Sequence, residues 1–145
     1  MRQARAPHPR RVLVDTSAYY AMVDADESRH GAASQIWHQL AAAGGHTFTT
    51  NYVVAEAHAL LLVRLGYHHA TLFLRQFEHS ATTVVRASLA DEQRARQIIY
   101  QYRDKRFSFT DATCFAVMER LRIGTAFTFD HNFAQFGFTL AEPRR

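Results

Sequence analysis

An α/β fold with a mainly parallel central sheet is the architecture this chain predicts. Short apolar, β-branched runs recur along its 145 residues, and each is followed by a stretch with helical periodicity, the alternation that builds β-α-β units. Two of those runs end on an acid: Val12-Leu13-Val14 leads into Asp15, and Thr125-Ala126-Phe127-Thr128-Phe129 into Asp130. No linker, repeat or low-complexity segment interrupts the pattern. One domain spanning 11–145 follows, long enough to bury a sizeable core, behind a flexible basic tail over 1–10 that carries Pro7 and Pro9 among arginines.

Taken in order, Arg11–Asp15 is a strand, and Thr16-Ser17 are placed to cap a short helix over Ala18–Val23. A polar turn over Asp24–Ser28 precedes a helix at Arg29–Ala43, where Ile36, Trp37 and Leu40 form the stripe and Gly44-Gly45 the stop. His46–Thr49 is a strand. Asn51 caps a helix to Leu65, and after Gly66 a second helix covers Tyr67–Glu78. Thr82–Arg86 is a strand and Asp91–Arg103 a charged, exposed helix. Ser108–Arg122 is a helix, Thr125–Phe129 a strand, and Gly137–Leu140 a last edge strand.

Composition narrows the function classes. Hydrophobic residues make up 48% and charged residues 21% of the chain, ordinary values for a globular protein. No apolar run reaches membrane-span length, and Asp15 interrupts the apolar stretch after the basic N-terminus, unlike a signal peptide. Cys114 is the single cysteine, which excludes an intrachain disulfide and points to the cytoplasm. The net charge is +4, and of 17 basic residues only Lys105 is a lysine. Arginine suits phosphate because its planar fork donates two parallel bonds, although codon usage explains the same bias.

The carboxylates carry the chemistry. Ligands of open parallel sheets bind beyond the carboxyl ends of the strands, where Asp15 and Asp130 stand. Glu56 and Asp111 lie near the starts of helices that begin at the same edge. Glu56 shares a helical face with Val53 and Leu60, so it is expected to point inward, where an unpartnered charge is costly. Each acid also has an ordinary reading. Asp15 and Asp130 suit turns, and Asp111 completes a Ser-x-x-Asp capping box with Ser108. Four such coincidences on one edge are less economical than one shared site.

Oxygen-only ligands select a hard cation, Mg²⁺ or Mn²⁺, over zinc. No His-Glu-x-x-His pattern occurs among the nine histidines. Like charges about 4 Å apart repel by roughly 1 to 4 kcal/mol per pair at effective dielectrics of 80 to 20, so clustered acids need a metal or raised pKa values. Metal-dependent phosphodiester cleavage uses no Ser or Cys nucleophile.

Four segments together resemble the PIN-domain nucleases, especially the bacterial VapC-type toxins. They are Val12-Leu13-Val14-Asp15-Thr16-Ser17, Thr50-Asn51-Tyr52-Val53-Val54-Ala55-Glu56, Phe107-Ser108-Phe109-Thr110-Asp111-Ala112 and Thr125–Phe133, within a match over about Arg11 to Leu140. The resemblance implies a Rossmann-like three-layer α/β/α sandwich and an endoribonuclease dependent on Mg²⁺ or Mn²⁺. By position it implies Asp15, Glu56 and Asp111 as core acids. Asp130 is the fourth, either a ligand or an orienter of water. Ser17, Thr110 and Thr128 are implied as supporting hydroxyls, each equally readable as a cap or strand residue. It further implies an RNA substrate, a cognate antitoxin protein whose C-terminal segment crosses the site, and a homodimer.

Two other nuclease-fold readings stay open: an RNA-processing enzyme without a toxin role, and a catalytically silent RNA-binding protein, which would be expected to lose acids that this chain keeps. A phosphatase of the haloacid dehalogenase type also begins on a strand ending in Asp, but it needs a second Asp where Ser17 stands.

Overall fold

The structure is a computed structural model and describes residues 10–144. All but Arg10 of the expected basic tail lies outside the described residues. Among those residues, five strands form one parallel sheet in the order β3-β2-β1-β4-β5: β1 (Arg11–Val14), β2 (His46–Thr50), β3 (Thr83–Val85), β4 (Thr125–Phe127) and β5 (Thr139–Leu140). The helices are α1 (Thr16–Val23), α2 (His30–Ala42), α3 (Asn51–Leu65), α4 (Tyr67–Glu78), α5 (Leu89–Gln101), α6 (Phe109–Leu121) and α7 (Asn132–Phe136).

β1 is the central strand, with Val12 beside Thr47 on one side and Thr125 on the other. Successive side chains point to opposite faces, yet Val12, Leu13 and Val14 are all fully buried. The sheet is therefore covered on both faces, the usual condition of parallel sheets. The helices pack in two groups, α1 through α4 against one another and α5, α6 and α7 in succession. The sequence-based fold class holds, with every strand pairing parallel.

Two boundaries move for reasons that concern the acids. α1 begins at Thr16, directly after an extended Asp15 (φ −96°, ψ 166°), and has no side-chain cap. Ser17, expected as part of that cap, spends its hydroxyl on Asp15, Thr128 and the Phe129 N–H instead. β4 ends at Phe127, because the following backbone N–H groups turn to side-chain oxygens rather than to a neighbouring strand.

α3 keeps its expected span, but its cap is Thr50, whose hydroxyl accepts from Val53 N at 3.2 Å. Asn51, the expected cap, instead accepts from Ala87 N at 3.0 Å and ties the chain after β3 to α3. α5 starts earlier than expected, on a capping box between Ser88 and Asp91. It also buries more than its charge suggested: Asp91 is 3% exposed and held by the Arg120 fork of α6 at 2.8 and 2.9 Å.

α7 was not foreseen. It stops at Gly137, whose left-handed backbone (φ 119°) any side chain would strain, and it seats Phe133 and Phe136 on Phe115 of α6. Phe115 and Phe136 stack at 4.6 Å, while Phe133 and Phe107 meet Phe115 edge-on at 4.9 and 5.0 Å. This aromatic block fixes the first turns of α6 and α7, where Asp111 and Asn132 stand. Tyr19 and Tyr20 of α1 are both buried. No helix among the described residues is long and apolar enough to cross a membrane.

Candidate active site

Asp15, Asp111 and Asp130 meet at the carboxyl edge of β1 and β4. Asp15 is anchored by its own N–H to Phe127 O at 3.0 Å, so the strand pairing that builds the sheet also sets the acid. Its Oδ2 accepts from the Thr128 hydroxyl at 2.9 Å and from Ser17 at 3.3 Å. Thr128 in turn accepts from the Asp130 N–H at 3.0 Å, and Ser17 from the Phe129 N–H at 2.9 Å. Both hydroxyls therefore orient the acids and the backbone around them, as well as ending elements.

Asp111 combines the two readings open from sequence. Its Oδ2 closes the capping box from Ser108 N at 3.1 Å and also accepts from the Asn132 amide at 3.0 Å. Its Oδ1 accepts no hydrogen bond among the described residues. The cap thus holds the carboxylate in one orientation through Oδ2 and leaves Oδ1 without a hydrogen bond among the described residues. Asp130 accepts from Asn132 N at 3.0 Å and from the Asn132 amide at 3.4 Å. Asn132, given no role of its own from sequence, thereby joins Asp111 to Asp130. Its signal was the Asp130-His131-Asn132-Phe133 run, where an Asx residue opens a helix.

Glu56 requires a correction. It was expected to be buried, and it is exposed. Val53, Ala57 and Leu61, spaced four apart, form the fully buried stripe of α3, and Glu56 lies just off it. Its charge is felt at Cys114, on the α6 helix that carries Asp111. The fully buried Cys114 thiol is pushed well up, first by burial and then by the charges of Asp15, Asp111 and Glu56. Thr110 is half-buried on the first turn of α6 and bonds to none of the acids.

The electrostatics follow from the crowding. Burial pushes Asp15 up to about 7, and the charges of Asp111 and Asp130 add to that against the bonds from Thr16 and Thr128. Burial also raises Asp111, opposed by the Asn132 and Ser108 bonds. No ion pair among the described residues involves any of the four acids. No three His, Cys, Asp or Glu side chains among them stand closely enough to grip one metal ion together. An all-carboxylate set without a basic partner nevertheless fits a hard cation, and Mg²⁺ is typically held by one or two carboxylates with water completing its shell. A cavity of about 660 Å³ between α1, α2, α4 and the approach to β3 has none of the acids in its walls.

The PIN domain family model matches residues 12–139. The chain belongs to the PIN-domain family. This PIN domain is 34% identical over 133 residues to the 23S rRNA-specific endonuclease VapC20 of Mycobacterium tuberculosis, covering 91% of the chain and 98% of that relative. It is 31% identical over 119 residues to the ribonuclease VapC26 of the same organism, covering 82% and 86%. The crystal structure of VapC20, described as a sarcin-ricin-loop-cleaving toxin, superposes with a TM-score of 0.82 at 30% identity, covering 88% of this chain and 96% of that one.

Proposed function

We propose that this PIN domain is a metal-dependent endoribonuclease, the toxin of a toxin–antitoxin pair. The observation that carries the chemistry is Asp15, a buried acid whose acidity is weakened to about 7 by burial and by Asp111 and Asp130, with no described cation to offset them. The likeness to VapC20 and VapC26, whose names record ribonuclease activity, supports the substrate class.

Asp15 and Asp111 would hold the cation, with Asp130 and Glu56 completing the acidic rim. Mg²⁺ and Mn²⁺ suit these hard oxygen donors equally. When bound, the cation supplies an activated water and neutralises charge on the phosphate. The chain's own part is orientation. Thr128 and Ser17 fix the Asp15 carboxylate, Ser108 and Asn132 fix Asp111, and Asn132 spaces Asp130 from Asp111. Thr110, half-buried on the first turn of α6, would serve the water or the substrate rather than an acid. Cys114, buried and with its thiol raised, supplies no nucleophile. A protein antitoxin, a homodimer and a cytoplasmic location belong to the same reading.

Purified protein with Mn²⁺ should cleave RNA, and EDTA should stop it. Asp15→Asn and Asp111→Asn should each lose at least a hundredfold in rate while keeping the native circular-dichroism spectrum. Full activity in either variant refutes the assigned site. Expression should arrest growth only with the acids intact, and co-expression of a cognate antitoxin should relieve it. A harmless wild-type protein that still cleaves RNA would favour the processing role.

A further inference from the structure

We propose that Arg29 binds a phosphodiester of the RNA adjacent to the one that is cut. The inference rests on the ribonuclease reading and adds a substrate contact to it. Arg29 stands just before α2, and its guanidinium reaches across to the loop that carries the site. It donates to Phe129 O at 3.1 Å and lies 5.4 Å above the Phe129 ring. Phe129 is the residue between Thr128 and Asp130, and its N–H is held by Ser17, the partner of Asp15. A cation is thus fixed one peptide unit away from the acids' own supports.

RNA brought to the clustered carboxylates of Asp15, Asp111 and Asp130 meets repulsion along its backbone. A metal offsets this at the scissile phosphate alone, and the flanking phosphates need another positive group. Arg29 is suited to supply it. Its one acidic neighbour within ion-pair reach is Glu27 at 3.8 Å, and both side chains are solvent-accessible, so that pair is weak and screened. One N–H is spent on Phe129, and the planar fork has others for the paired oxygens of a phosphate.

Arg94, Arg120 and Arg11 are committed elsewhere, and Arg106 is not fixed in direction. Arg94 and Arg120 are held in forked pairs with Glu119 and Asp91. Arg11 donates to Leu121 O at the opposite end of β1. Arg106 shares the active edge, but its guanidinium makes no hydrogen bond or ion pair among the described residues that would fix its direction.

The test is direct binding, free of turnover. In an Asp15→Asn background without metal, a fluorescein-labelled single-stranded RNA is titrated by anisotropy across a salt series. Adding Arg29→Gln keeps a donor near Phe129 but removes the charge. It should weaken binding about tenfold at low salt and flatten the logarithmic salt slope by roughly 0.7, the share of one phosphate contact on a single strand. Arg29→Lys should recover part of the affinity and the full slope. Glu27→Gln, which removes the competing acid, should tighten binding about twofold. In the active protein Arg29→Gln should raise KM while kcat moves less than threefold.

A loop clamp without substrate contact would instead lower kcat and the melting temperature and leave KM and the salt slope alone. That result overturns the proposal, as does an unchanged Kd in both the Arg29→Gln and Glu27→Gln variants. A parent protein that cleaves RNA while Arg29→Gln is silent sinks this inference only. A parent that neither binds nor cleaves RNA removes the ribonuclease reading with it.

Discussion

The Thr128 hydroxyl donates to Asp15 Oδ2 at 2.9 Å, and the same oxygen receives the Asp130 N–H at 3.0 Å. One side chain thus sets a carboxylate at the end of β1 and bends the chain after β4 so that a second acid approaches the first. A hydroxyl is chemically required there, because a single atom must both donate and accept.

Thr128→Val keeps the shape and removes both bonds. A charge-assisted hydrogen bond contributes about 1.5 to 3 kcal/mol, so kcat for RNA cleavage should fall by roughly 10- to 100-fold, with KM nearly unchanged. Thr128→Ser, which restores the hydroxyl, should return most of that loss. Steady-state cleavage of one defined RNA by the three proteins is sufficient. Equal kcat values would mean that Asp15 is oriented by Ser17 and burial alone.

Asp15 makes the stability of the metal-free protein depend on pH. Its folded-state pKa is raised to about 7 from 3.8, so between those values the folded state binds more protons than the unfolded state. Stability therefore falls as pH rises through that window, and the full penalty is present above about 7. The shift corresponds to an upper bound on the order of 4 kcal/mol. Asp15→Asn should consequently melt above the wild type at pH 8 in EDTA and close to it at pH 4. Adding Mn²⁺ at pH 8 should raise the wild-type melting temperature and leave the variant unmoved. A wild type that is equally stable at pH 4 and pH 8 without metal would contradict the crowded site.

Arg120→Ala tests the α5–α6 junction without touching the cleft. It leaves Asp91, which is 3% exposed, without its forked partner, although the Ser88 N–H still serves one oxygen. Removing one member of a buried pair costs about 3 to 5 kcal/mol, and the 44% exposure of Arg120 brings the expectation to about 2 kcal/mol. Urea unfolding should show that loss. RNA cleavage below the transition should be retained, because neither residue meets the site.

The sheet and six of the seven helices were legible because their periodicity, caps and glycine stops are local signals. The acids at Asp15, Asp111 and Asp130 were legible because strand ends and helix starts share an edge in a parallel fold. Glu56 misled because a helical face is wider than its buried stripe: Val53, Ala57 and Leu61 fill the contact, and Glu56 stands one position off it. α7 and the Asn132 bridge were hidden for a different reason. A five-residue helix has little periodicity of its own, and it is stabilised by Phe133 and Phe136 packing on Phe115, a contact distant in sequence.

Asn132 is where that hidden contact becomes function. Its amide donates to Asp111 Oδ2 at 3.0 Å and to Asp130 Oδ2 at 3.4 Å, and its own N–H serves Asp130 Oδ1 at 3.0 Å. The backbone bond survives in alanine, so Asn132→Ala removes only the amide bridge. Asp111 then loses one of the bonds that oppose its raised pKa, and its carboxylate gains freedom to turn. Groups that orient metal-binding carboxylates are typically worth 10- to 100-fold in metal affinity. The Mn²⁺ concentration for half-maximal cleavage should rise by about that factor, while kcat at saturating Mn²⁺ changes several-fold at most. Asn132→Asp is expected to do worse at neutral pH, since it replaces a donor with another acid among acids. Cleavage of a defined RNA across a Mn²⁺ titration separates these outcomes, and superimposable curves for wild type and Asn132→Ala would show that the bridge holds the loop without governing the metal.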